Sequence, residues 1–257
     1  GGERGRTGPV QLSGDRVQLG HGAVVIAAST SGTNTANPSV MIGAGLLARN
    51  AVARGLKPAA WVKTSLSPGS RVVPEYLSRN GLLEPLAALG FGITGYGCMT
   101  CMGNSGAIAD SLAAEIEKND CAAVAVLSGN RNFEGRIHPN ARANFLASPP
   151  LVVAYALAGS ILKDLTREPI GADRDGRPVY LRELWPDEEE IRGMMERTLS
   201  PDLYAARYRN AEEGTPAWRA IPTPGGMNFE WDAHSTFIRH PPFLEDMQPQ
   251  PEPTADI

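Results

Sequence analysis

The chain has 257 residues, enough to bury a full core as one domain with an appended tail. Apolar residues make up 42% and charged residues 20%, with no apolar run of membrane-spanning length, so a soluble cytoplasmic protein without a membrane partner is expected. A net charge of −4 argues against nucleic acid as a partner but leaves room for a locally positive pocket.

In chain order, the N-terminal GGERGRTGPV lacks an apolar signal region. Gln18–Ala28 ends in a continuous apolar run of six, the pattern of a strand buried on both faces. Asn37 before Pro38 supplies an N-cap and a first-turn proline, and the helix they open is expected to stop at Gly55. Ala59–Lys63 reads as a second strand, followed by helical patterns near Val72–Arg79 and Leu83–Leu89. Phe91–Thr94 reads as a short strand, Ala109–Lys118 as a helix and Ala122–Leu127 as another buried strand. Ala143–Leu162 is apolar and reads as helical pieces broken at Pro149–Pro150. The alternation predicts an α/β fold, a three-layer αβα domain with a mostly parallel sheet.

Beyond Lys163 the texture changes. Trp185–Leu199 reads as a charged helix begun by Pro186 and Asp187, and from Gly214 prolines and isolated aromatics dominate. The reading is an αβα domain over 1–165 and a helical and extended arm over 166–257, with Trp185, Trp218 and Trp231 as packing anchors. Gln248–Ile257 has a disordered composition.

Three unusual strings follow predicted buried strands: STSGTNTANP at Ser29–Pro38, GYGCMTCMGNSG at Gly95–Gly106, and SGNRNFEGRIHP at Ser128–Pro139. In an open parallel sheet, loops at the carboxyl ends of strands form the ligand crevice, so topology alone brings all three to one rim. The chain's three cysteines are too few for a disulfide framework. Cys98 and Cys101 form a C-x-x-C pair on a glycine-rich loop, which suits a metal site, a redox dithiol or half of a zinc site. Cys121 begins the strand that ends near Ser128, roughly 20 Å from the rim, and reads as a small core residue.

Arg131 and Arg136 suit bidentate binding of a carboxylate, or else pair with surface charges such as Glu134 and Asp120. His138 reads as a packing or hydrogen-bonding residue. The hydroxyl-rich turn around Ser31 and Asn34 suits an anion site at a helix N-terminus, or simple capping. Lys63, Ser65 and Ser70 either line the same crevice or sit in solvated loop.

These strings, in this order and at similar spacing, resemble the iron–sulfur domain of the aconitase family. ASPPLVVAYALAG and the late DAHSTFIRHPPF extend the likeness from about Leu19 to Phe243. The resemblance covers that family's third domain and the linker toward its swivelling last domain. It implies Cys98 and Cys101 as cluster ligands, and Asn130, Arg131, Arg136, Ser31 and Asn34 as contacts to substrate. In the family the first string normally reads TSCTNT, and its cysteine is the third ligand of a 4Fe–4S cluster; here Gly32 takes its place.

In the family, an iron of the cluster acts as Lewis acid on a hydroxy-tricarboxylate while a serine of the last domain takes the proton. The resemblance therefore implies a subunit or fragment of a hydro-lyase (hydratase) or isomerase for a hydroxy di- or tricarboxylate. Other aconitase-like chains would supply the missing groups in a hetero-oligomer, with an intact or altered iron–sulfur cluster. Two alternatives stay open: a cluster-free or altered-metal enzyme of specialised metabolism, and a non-catalytic binding subunit.

Overall fold

The computed structural model describes residues 8–12, 15–32, 34–104, 106–129, 136–223, 225–245 and 250. It opens with an antiparallel hairpin, β1 (Gly8–Leu12) and β2 (Asp15–Leu19), which the sequence pattern did not announce. Then come β3 (Val24–Thr30), α1 (Pro38–Arg54), β4 (Lys63–Ser67), α2 (Val72–Arg79), α3 (Leu83–Ala88), α4 (Asp110–Lys118), β5 (Val124–Leu127), β6 (Ala143–Leu146) and α5 (Pro149–Ala158). A small hairpin, β7 (Gly171–Ala172) with β8 (Pro178–Val179), precedes α6 (Leu181–Leu184), α7 (Glu188–Thr198) and α8 (Pro201–Tyr208).

The main sheet has the order β4-β3-β5-β6, with every pairing parallel. Parallel neighbours require crossovers, and α1, α4 and the loops beside them supply these. Every residue of β3 is buried, as the apolar run predicts for a central strand. One of its faces packs with α1, α2, α3 and α5 around Leu46, Leu66, Tyr76 and Val153. The other packs under α4 around Leu112, Ile116 and Leu127. The expected three-layer αβα domain with a mostly parallel sheet is what forms.

Helix α1 begins and ends where its caps place it. The Asn37 side chain accepts from the Ser39 N–H at 3.1 Å, and Gly55 closes the helix with φ of 82°.

Three expected elements differ. The second strand is Lys63–Ser67 rather than Ala59–Lys63: the Val62 N–H turns back to the Ala59 carbonyl at 2.9 Å, and the polar KTSLS forms the ladder. Phe91–Thr94 contributes one bridge, Ile93 against Leu66. The apolar stretch from Ala143 starts as strand β6 and turns helical only at Pro149, because ANFL finds the open edge of β5.

By its contacts the chain divides into residues 1–209 and 210–257. Among its described residues the second unit holds the short helix α9 (Pro216–Arg219), a tighter helical turn at Pro242–Leu244 and a row of exposed aromatics. Trp218 and Trp231 are exposed rather than packed, and Trp231 meets Phe229 edge to face at 4.8 Å. Among the described residues, no helix is long and apolar enough to cross a membrane.

Candidate functional site

Because the sheet is parallel, β3 and β5 release their chains at the same rim, and the Gly95–Gly106 loop enters there from Ile93 beside Leu66. Gly97 and Ser128 lock these loops together. The Gly97 carbonyl accepts from the Ser31 N–H, the Met99 N–H and the Thr30 hydroxyl, each at 3.0 Å. The Gly97 N–H donates to the Pro68 carbonyl at 2.7 Å, so the loop after β4 joins the cluster. The buried Ser128 hydroxyl accepts from the Thr30 N–H and donates to the Thr30 carbonyl, both at 2.9 Å. The Asn34 amide donates to the Ser128 carbonyl at 2.6 Å.

Ser31 is buried with φ of 126°, a region that serine occupies only when its surroundings hold it there. Its hydroxyl accepts from the Asn34 N–H at 3.2 Å, and its carbonyl accepts from the Thr35 hydroxyl. Gly32 follows, exposed. A Cβ placed on it would meet no described atom within 4 Å, and its backbone is outside the left-handed region. The Gly32 carbonyl is backed by Gly69, where a Cβ would lie 2.6 Å from that oxygen.

Cys101 is buried on the short turn Thr100–Met102, and Cys98 beside it is half-buried. Burial pushes the Cys101 thiol pKa up, a hydrogen bond and charge from Cys98 add to this, and a hydrogen bond from the Thr30 side chain opposes it. Gly129 lets the loop after β5 close over this cysteine, since a Cβ there would stand 2.7 Å from the Cys101 Cβ.

The Arg136 side chain is exposed, and its backbone lies against the sulfur loop. A Cβ on Gly103 would approach the Arg136 carbonyl to 2.6 Å, and Gly103 has φ of 82°, so both contact and conformation require glycine. Gly103 is two residues from Cys101, at most ~7 Å of chain. The buried Ile137 anchors the segment. Asn130 and Arg131 lie outside the described residues.

His138 sits just beyond. Its Nδ1 accepts from the Asn140 N–H at 3.1 Å, and its pKa is lowered by burial first and by the Lys63 charge second. Lys63 does not line the rim. It opens β4 opposite Ile26, whereas Ser67 at the other end pairs with Thr30, and its ammonium donates to the Ala107 carbonyl at 2.9 Å. Ser65 is buried mid-strand. Cys121 lies in the core three residues before β5, at the strand end away from the rim, with its thiol donating to the Gly20 carbonyl at 3.0 Å.

Beside the joined loops a recess of about 400 Å³ is lined by Asn34, Asn37, Val40, Leu146, Ala147 and Ser148. Sequence reasoning placed Thr30 in a hydroxyl-rich turn but missed Gly97 and Ser128, the residues that tie the loops. Their signal is only positional: Thr30 ends β3, Ser128 follows β5 directly, and Gly97 closes the glycine pair of GYG.

A parallel αβα sheet whose sulfur loop is clasped between the turns after two central strands defines the class, and sequence comparison agrees with it. The chain belongs to the aconitase family: the profile "Aconitase family (aconitate hydratase)" matches residues 6–159, more than half of its length. Among its relatives, the aconitate hydratase A of Thermus thermophilus is 54% identical over 238 residues, covering 93% of this chain and 26% of that protein. The aconitate hydratase A of Corynebacterium jeikeium is 51% identical over 248 residues, covering 96% and 26%. That of Legionella pneumophila is 51% identical over 240 residues, covering 93% and 27%. The chain thus spans about a quarter of the length of the curated relatives it matches.

The three-cysteine set that the family resemblance implies does not fit the described residues. Cys98 and Cys101 stand together, Gly32 brings no donor side chain, and no group of three His, Cys, Asp or Glu side chains gathers anywhere among the described residues.

Proposed function

We propose that this chain forms one part of an aconitase-like hydro-lyase or isomerase acting on a hydroxy di- or tricarboxylate. In this reading Cys98 and Cys101 hold metal at the rim. Arg131 and Arg136, with Asn130, Ser31 and Asn34, contact the substrate's carboxylates. Aconitase-like polypeptide outside this chain provides the remaining acid and base groups. The observation that carries the reading is the clasp of Gly97 and Ser128, which brings one residue of each string, Thr30, Gly97 and Ser128, together at one edge of a parallel sheet. A guanidinium on that edge recognises a planar carboxylate through paired N–H donors.

Calorimetric titration with citrate tests the binding part. Citrate should bind the chain saturably, and Arg136→Gln should remove about 1.5–3 kcal/mol, a tenfold or larger loss of affinity. Equal affinity in the variant would remove Arg136 from the site.

One observation favours a second reading. Two thiols without a third donor among the described residues depart from the three-cysteine cluster set and suit an altered metal site. Metal analysis of protein purified without oxygen separates them: iron with matching sulfide supports the cluster, and zinc supports the altered site.

A further inference from the structure

Cys98 and Cys101 stand together with no third donor side chain gathered beside them among the described residues. Three positions apart on one loop, their side chains hydrogen-bond to each other. The fold itself makes this contact. Gly97, just before Cys98, is held by bonds to Ser31, Thr30 and Pro68, and Gly103 turns the chain at φ of 82° just after the short helical turn that carries Cys101. Access to the two sulfurs differs: Cys98 is half-buried, whereas Cys101 is only 4% exposed. Cys121 stands apart from both, its thiol donating to the Gly20 carbonyl in the core.

We propose that Cys98 and Cys101 form a redox dithiol that closes to a disulfide by exchange with a small-molecule disulfide, Cys98 reacting first and Cys101 second. The Cys98 sulfur attacks one sulfur of the small disulfide, whose S–S bond breaks, and the departing half leaves as a thiol carrying the proton that Cys98 gave up. The Cys101 sulfur then attacks Cys98, gives up its own proton and expels the second half as a thiol. Two protein thiols are oxidised and one small disulfide is reduced to two thiols, so atoms and electrons balance. Exposure sets the order, because a reagent in solution meets Cys98 before the buried Cys101. The second step is intramolecular, and an effective concentration of ~mM or above lets Cys101 outrun dilute thiols outside. The inference does not rest on the metal reading, but it bears on it: in the disulfide both sulfurs are used, so the oxidised chain keeps no thiol on this loop to hold a metal.

Treatment of the chain under chelator with 2-hydroxyethyl disulfide, followed by acid quenching, alkylation and mass spectrometry of the intact chain and its peptides, tests this. We expect the native chain to lose two hydrogens, with the new bond mapped between Cys98 and Cys101, and Cys121 still alkylated after unfolding. Dithiothreitol should restore both thiols. Cys101→Ser should stop at the mixed disulfide on Cys98, and Cys98→Ser should react roughly tenfold or more slowly than the native chain. A native chain that stops at the mixed disulfide, that pairs Cys121 instead, or that resists the reagent as Cys98→Ser does, overturns the dithiol. The readout involves neither metal nor citrate, so its failure is told apart from failure of the carboxylate-binding reading.

Discussion

At Ser128 a single hydroxyl accepts from the N–H of Thr30 and donates to its carbonyl, in a site with no exposure to water. Ser128→Ala leaves both backbone groups buried without this partner. It should cost about 2 kcal/mol or more by urea unfolding and weaken citrate binding in parallel. Undiminished stability would show that the clasp is dispensable. His138 gives a pH-dependent check on the same neighbourhood. Burial and then Lys63 hold its pKa below the ordinary 6.5, so the folded chain resists protonating it. That contribution is present above the ordinary value and is lost as pH falls through it toward the lowered one. His138→Gln should therefore lose less stability than the native chain between about pH 7 and pH 5. An unchanged acid slope would contradict this. The cysteines were legible as residues because C-x-x-C in a glycine-rich loop is rare. Ser128 was not, because a serine after an apolar run looks like any turn residue until its partner Thr30, 98 positions away, is known.

Elements with terminal signals read truly from sequence. Asn37–Pro38 and Gly55 bracket α1 because capping and left-handed closure are local chemistry, independent of the rest of the fold. Strands β4 and β6 read poorly. KTSLS has too few apolar residues to announce itself and becomes a strand only because β3 offers a partner, while ANFL stands only Ala147 and Ser148 ahead of the apolar helix α5. The register follows from tertiary pairing, which period and propensity do not encode. Helix α2 carries a sharper anomaly: the Tyr76 hydroxyl is buried with no hydrogen-bond partner among the described residues, and burial holds its proton on far above the usual range. Removing a polar atom that has no partner relieves a desolvation penalty. Tyr76→Phe should leave the unfolding midpoint unchanged or raise it; a loss above about 1 kcal/mol would reveal a partner for that oxygen.

For the molecule as a whole, topology does what no single motif could. A parallel sheet sends its strand ends to one edge, so the described ends of strings that begin at Ser29, Gly95 and Ser128 become neighbours, and the αβα class follows from the same alternation. The unit over 210–257 exposes Trp218, Phe229, Trp231, Phe237 and Phe243. The central claim is that sulfur and guanidinium share one hollow. Iodoacetamide labelling followed by peptide mass spectrometry, with and without saturating citrate, tests it most directly. Citrate should slow alkylation of the half-buried Cys98, Arg136→Gln should abolish that protection, and the core Cys121 should react at one unchanging slow rate. Cys98 labelling that ignores citrate, or protection that survives in Arg136→Gln, would contradict the account.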